Sequence, residues 1–174
     1  MRPHRPYELI EYDPTWKDIF LSTAEKIRPF FGDNLVSIEH IGSTAVEGML
    51  AKPQVDLLVV VKDLDLVPKQ YEEFRTAGYT PRGRGYAGIG DEYVTEDTPD
   101  GKRLVSIHIF PEGHPHIDEY RLFRDYLQSH AEERELYIQE KRRLYNLHSD
   151  NYEEYAVGKG GLIDEIKARA RAER

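Results

Sequence analysis

The segment Val55-Asp56-Leu57-Leu58-Val59-Val60-Val61 constrains this chain more than any other. It is aliphatic at both alternating positions, so a strand built from it needs cover on both faces. That is the pattern of an interior strand in an α/β sheet. The exception is Asp56, whose carboxylate loses hydration in such a strand at a cost of several kcal/mol unless a cation or several donors compensate. Two readings follow: an exposed strand start paired to Lys52 or an arginine, or a buried carboxylate that binds a ligand or metal.

The flanking sequence fills in the fold. Asp13-Pro14 starts a helix in which Trp16, Ile19, Phe20, Thr23, Ala24 and Ile27 recur at helical spacing, ending near Gly32. Leu35 to Ile41 reads as a strand running into Gly42-Ser43-Thr44, and Pro68 to Ala77 as a second helix closed by Gly78. Tyr79 to Gly90 is a glycine- and arginine-rich loop or irregular strand. Glu92 to Thr95 and Leu104 to Phe110 form a hairpin through Pro99-Asp100-Gly101. From Asp118 the strand signals stop: two helices run to about Leu147 with a break near Ser129. A third follows Ser149-Asp150, with Tyr152, Tyr155, Ala156, Lys159, Leu162, Ile163 and Ile166 on one face. The expectation is an α/β (α+β) fold in one domain over 1–174, with a mixed-sheet core to about 116 and C-terminal helices from about 117.

Composition narrows the partners. At a formal net charge of -8 the surface repels a nucleic acid polymer and offers nothing to an anionic membrane. The absence of cysteine removes disulfides, thiolate metal sites and a cysteine nucleophile. Met1 to Ile10 carries basic residues without an apolar stretch after them, and no run is long enough to span a bilayer, so a cytoplasmic protein is expected. A small ligand, a metal or a protein is the expected partner.

Five groups could carry chemistry beside Asp56. Gly42-Ser43-Thr44 allows close approach of backbone to phosphate, and equally suits a plain turn. His40 lies two residues before Gly42. His108 interrupts an apolar strand and shares a face with Ser106 and Phe110, whereas His114 and His116 read as solvated turn residues. Lys159 falls on the apolar stripe of the last helix beside Gly160-Gly161, a pair that weakens the helix and is explained by close approach to another element or a ligand. Arg82 and Arg84 offer positive charge for phosphate.

The stretch Ile38-Glu39-His40-Ile41-Gly42-Ser43-Thr44-Ala45-Val46-Glu47-Gly48, with Ala51-Lys52-Pro53-Gln54-Val55-Asp56-Leu57, resembles the hallmark of the GrpB (UPF0157) family. Ser106-Ile107-His108-Ile109-Phe110, Leu122 to Leu127, and Tyr155 with Lys159 extend the match over roughly residues 8 to 170. The resemblance implies a nucleotidyltransferase-like fold; related domains occur fused to dephospho-CoA kinase. In that superfamily a Gly-Ser turn holds triphosphate and strand carboxylates bind two divalent metals. By position, Gly42-Ser43 matches the turn and Asp56 the first carboxylate. Leu58 stands at the second carboxylate's place and His108 on the strand of the third.

The resemblance therefore implies a protein that binds a nucleotide or other phosphorylated small molecule between sheet and helices. Gly42, Ser43 and Thr44 hold phosphate beside Tyr155, Lys52, Arg82 and Lys159 balance its charge, and Asp56 and His108 act as acid and base. Asp56, His108 and His40 are the candidate ligands of one divalent metal, magnesium or manganese, although imidazole also suits zinc or no metal. Nucleotidyl transfer is the expected activity. A module that keeps the fold and has lost the chemistry is the alternative that Leu58 favours, and hydrolysis with His40 or His108 as general base is a third.

Overall fold

The computed structural model describes residues 7–174, so part of the basic segment Met1 to Ile10 lies outside the described residues. Helix α1 (Thr15–Phe31) begins where Asp13 Oδ1 accepts from the Thr15 amide and hydroxyl, and it ends at Gly32. Strands β1 (Leu35–Ile41) and β2 (Val55–Val61) follow, then a 3-10 stretch Leu64–Gln70 and helix α2 (Tyr71–Thr76). The expected Pro68–Ala77 helix is thus cut to six residues, because Pro68 lies in the 3-10 stretch and has no N–H to give a longer helix.

Strands β3 (Thr80–Arg84), β4 (Glu92–Asp97) and β5 (Arg103–Pro111) complete a sheet of order β1-β2-β5-β4-β3. Only β2 and β5 run parallel; the other neighbours are antiparallel. The glycine-rich stretch after Tyr79 becomes an edge strand whose pairing shifts between Pro81 and Gly83, an irregularity tolerated where one side of the strand is unpaired. The helices α3 (Pro115–Ser129), α4 (Ala131–His148) and α5 (Tyr152–Ala172) follow the expected breaks. Among the described residues no helix is long and apolar enough to cross a membrane.

Strand alternation divides the labour of the sheet. Leu57, Val59 and Val61 of β2, with Val105, Ile107 and Ile109 of β5, pack on Trp16, Ala24, Ile27 and Phe31 of α1. This face is sealed and mostly apolar, with Glu92 buried beside Ile109 and His40 half-buried beside Leu57. The opposite face carries Asp56, Leu58 and Val60, opposite Ser106, His108 and Phe110 in register. Leu58, Val60, Ile41 and Phe110 close with Ile117 of α3 into a small apolar cluster at one end. Val46 and Met49 pack on Leu122, Leu127, Tyr137 and Ile166 of the C-terminal helices at the other. Asp56 and Ser106 lie between these two plugs.

Gly160 and Gly161 do not mark a close approach to another element, since a Cβ at either meets nothing within 4 Å. That role falls to Gly158, where a Cβ would sit 2.6 Å from Leu144 Cδ2 of α4.

Leu58 is fully buried, so Leu58→Ala should lower unfolding free energy by about 2–5 kcal/mol in urea titration. Leu58→Asp should cost more, because the added charge lands among apolar side chains.

Candidate functional site

Ile41, the last residue of β1, pairs with Asp56, so the chain leaving β1 at Gly42 passes directly over that carboxylate. Gly42 has φ 73° and ψ -172°, a region that side chains avoid. A Cβ there would lie 2.8 Å from Asp56 Oδ2. Glycine is therefore required twice over, for backbone conformation and for proximity to Asp56. Ser43–Ala45 then forms a 3-10 turn.

Beside this turn a cavity of about 450 Å³ separates the mixed face of the sheet from α3, α4 and α5. Four lysines line it, and three of them lie against a tyrosine. Lys52 Nζ donates to the Tyr152 hydroxyl at 2.8 Å and lies 4.1 Å from its ring centre. Lys159 Nζ lies 4.5 Å from the Tyr155 ring centre. Lys141 is 2% exposed; its Nζ lies 2.6 Å from Ser43 Oγ and donates to the Leu50 carbonyl at 2.7 Å, 4.6 Å from the Tyr137 ring centre.

Burial disfavours the ammonium form, and the lysines add mutual repulsion. Burial first, then Lys52, brings the Lys159 pKa down to about 8. Burial, then Lys159 and Lys52, hold Lys141 well below the ordinary lysine range. Asp56 opposes both shifts. The other carboxylate lining the cavity, Glu119, is engaged by Lys167 at 3.3 Å and by Arg171.

Asp56 itself accepts from Gln54 Nε2 at 2.9 Å, and the same nitrogen donates to Ser106 Oγ at 3.0 Å. Ser106 is joined to the Tyr93 hydroxyl at 2.8 Å, and Arg103 donates to that hydroxyl at 2.7 Å. A polar line thus crosses the sheet from the cavity toward its β3 edge. His108 lies on the cavity wall, its Nδ1 2.7 Å from Oδ2 of the fully buried Asp91, with its ring tilted against Tyr93 and Tyr120.

The fold gathers Gly42, Ser43, Thr44, Lys52, Asp56, His108, Tyr155 and Lys159 around one cavity. Two expected residues go elsewhere. Arg82 is a correction: its guanidinium is taken by Thr95 Oγ1 and Asp97 at the sheet edge, as Arg84 is by Glu92 and Asp65. His40 is another, since it pairs in register with Leu57 and therefore faces α1 rather than Asp56. It stacks on Phe20 and its Nε2 lies 2.9 Å from Thr44 Oγ1. Burial lowers its pKa to about 4. His114 is half-buried rather than solvated: it caps α3 by accepting from the His116 amide and stacks on Phe110.

Lys141, Asp91, Gln54, Tyr93 and Ser106 were not singled out from sequence. The signal for Lys141 was its place in the buried stripe Tyr137, Lys141, Leu144, spaced four and three residues apart.

The donors do not fit the two-ion clamp that the fold resemblance implies. Asp56 is its one carboxylate; Leu58 is buried in an apolar cluster, and Ser106 faces Asp56 across the strand pair. Among the described residues no group of three or more acidic or histidine side chains is placed to hold a metal ion. Gly42→Ala should destabilise the protein by on the order of 1–3 kcal/mol from backbone strain alone. Thermal unfolding measures it, and the clash with Asp56 Oδ2 adds to the loss.

Several known proteins share this architecture. The chain is 34% identical over 170 residues to the UPF0157 protein YqkA of Bacillus subtilis, covering 97% of this chain and 48% of that protein. It thus spans about half the length of that relative. The crystal structure of the conserved protein GrpB from Enterococcus faecalis superposes with a TM-score of 0.88 at 29% identity, over 95% of this chain and 98% of that one. The Cid1 poly(U) polymerase, in its structure with magnesium and 3'-dATP, superposes with a TM-score of 0.59 at 16% identity, over 86% of this chain and 49% of that one. This likeness, with the five-stranded mixed sheet and flanking helices, makes the fold nucleotidyltransferase-like. The family described as GrpB protein matches residues 6–169, and the chain belongs to it.

Proposed function

We propose that the cavity binds a phosphorylated small molecule, a nucleotide in the first instance, in the cleft between the sheet and the C-terminal helices. The observation that carries this reading is that Lys52 and Lys159 line the cavity beside Gly42 and Ser43 in a chain whose net charge is -8. Cations that repel one another inside a low-dielectric cavity are stabilised by a bound dianion. Ser43 and Thr44 supply hydroxyls to it, and Lys52 and Lys159 balance its charge. Asp56 and His108 flank the same volume, where an acceptor hydroxyl sits within reach of a proton acceptor.

A second reading, nucleotidyl transfer with a magnesium or manganese ion, is favoured by one observation: Asp56 lines the cavity directly beneath the Gly-Ser turn. It differs from the first in making stabilisation by nucleotide depend on the metal.

Thermal unfolding with inorganic phosphate, pyrophosphate, AMP and ATP, with EDTA or with magnesium, separates the two. A ligand at about 100 times its Kd stabilises by about 2.7 kcal/mol, which raises the melting temperature of a chain this size by roughly 5–10 °C. A rise in EDTA supports binding without metal. A rise that needs magnesium and vanishes in Asp56→Asn supports the second reading, and no rise with any of the four refutes both.

Lys159→Met should weaken phosphate binding by about tenfold or more, while raising the stability of the ligand-free protein by on the order of 1–3 kcal/mol at pH 7. The sign follows from its lowered pKa: below about pH 8 the folded protein carries a buried ammonium at a cost, and that cost fades as pH rises from there toward the unfolded value of 10.5. Phosphate affinity should run the other way, falling as pH rises through about 8.

A further inference from the structure

Charge balance alone does not account for the pairing of Ser43 with Lys141. Lys141 is buried to 2% exposure, and its hydrogen-bond partners, Ser43 Oγ and the Leu50 carbonyl, are both uncharged. Burial without a paired carboxylate and the proximity of Lys159 and Lys52 favour the neutral amine, against the weaker pull of Asp56. A neutral amine that gives one N–H to the Leu50 carbonyl keeps a lone pair for the Ser43 hydroxyl, 2.6 Å away. A serine hydroxyl within hydrogen-bond reach of a neutral base is an activated nucleophile.

We propose that Ser43 is a nucleophile toward phosphorus, with Lys141 as its general base and a phosphoanhydride bound in the cavity as its substrate. The proposal rests on the anion-binding reading of the same cavity. Phosphorus is the fitting electrophile because Lys52 and Lys159 line the same cavity as Ser43, so an anionic group held by them shares that space with the hydroxyl. In the step, the Ser43 Oγ–P bond forms as the bridging P–O bond breaks. The hydroxyl proton passes to Lys141 Nζ, and the leaving phosphate departs with the electron pair of the broken bond. The new ammonium then stands beside the phosphoserine ester and offsets its charge. With ATP, attack at the γ-phosphorus releases ADP and leaves a phosphoryl group on Ser43, whereas attack at the α-phosphorus releases pyrophosphate and leaves a nucleotidyl group.

The full chain is incubated with ATP labelled in either the α- or the γ-phosphate, with EDTA present because lysines carry the phosphate charge in this step. Denaturing gels and peptide mass mapping then locate the label. One of the two labels is expected on Ser43, absent in Ser43→Ala and at least tenfold slower to appear in Lys141→Met of confirmed folded state. Should Lys141→Met fail to fold, Ser43→Ala together with the mapped peptide decides the nucleophile. No label, or label that persists in Ser43→Ala, overturns the proposal; label on Ser43 unaffected by Lys141→Met overturns the role of the lysine. If ATP raises the melting temperature in EDTA yet leaves no label, binding stands and the nucleophile falls. If it does neither, both fall.

Discussion

Three lysines drawn out of water around one glycine–serine turn set the terms for this molecule. Lys141 and Lys159 lose hydration and both feel the charge of Lys52, so the cavity disfavours positive charge at these two amines. One partial compensation is Asp56, held beneath the turn by a glycine that brings backbone within touching distance of its carboxylate. The other is aromatic: Lys52 lies against Tyr152 and Lys159 against Tyr155, where the negative face of each ring attracts a cation. The tyrosines thus do more than fill space.

The sheet makes this strain affordable by separating its two faces. Helix α1 seals one face with a continuous apolar cluster that carries much of the stability, leaving the other face free to hold polar groups between two small apolar plugs. The same alternation explains why Asp56 and His108 share the cavity while His40, one residue from Ile41, points away from it. A change of one residue in register exchanges the faces of a strand.

Much of the architecture was legible from local periodicity. The seven-residue run of β2, the helical spacing of α1, the hairpin turn at Pro99-Asp100-Gly101 and the break near Ser129 all reappear in the fold. Lys159 could be picked out because it interrupts an apolar stripe. Lys141 is harder to read: it falls on the stripe of Tyr137 and Leu144, but it sits in Glu140-Lys141-Arg142-Arg143, where a buried cation and its solvated neighbours look alike. Arg82 looked available in a glycine-rich stretch, yet the edge strand formed there sets it beside Asp97. Of the glycines in α5, the conspicuous pair Gly160-Gly161 faces open space, and the single Gly158 makes the helix contact.

By itself the sequence determined most of the strands and helices, which face of each is apolar, and that Asp56 is the one charge in the β2 run. These follow from residue order alone, because side-chain direction repeats every two residues in a strand and every 3.6 in a helix. Only the tertiary structure decided which charges meet. Ser43 and Lys141 are 98 residues apart, and Asp91 and His108 are 17 apart. Their pairing depends on how the C-terminal helices seat on the sheet and on the order of its strands, and Coulomb energy depends on distance in space rather than along the chain.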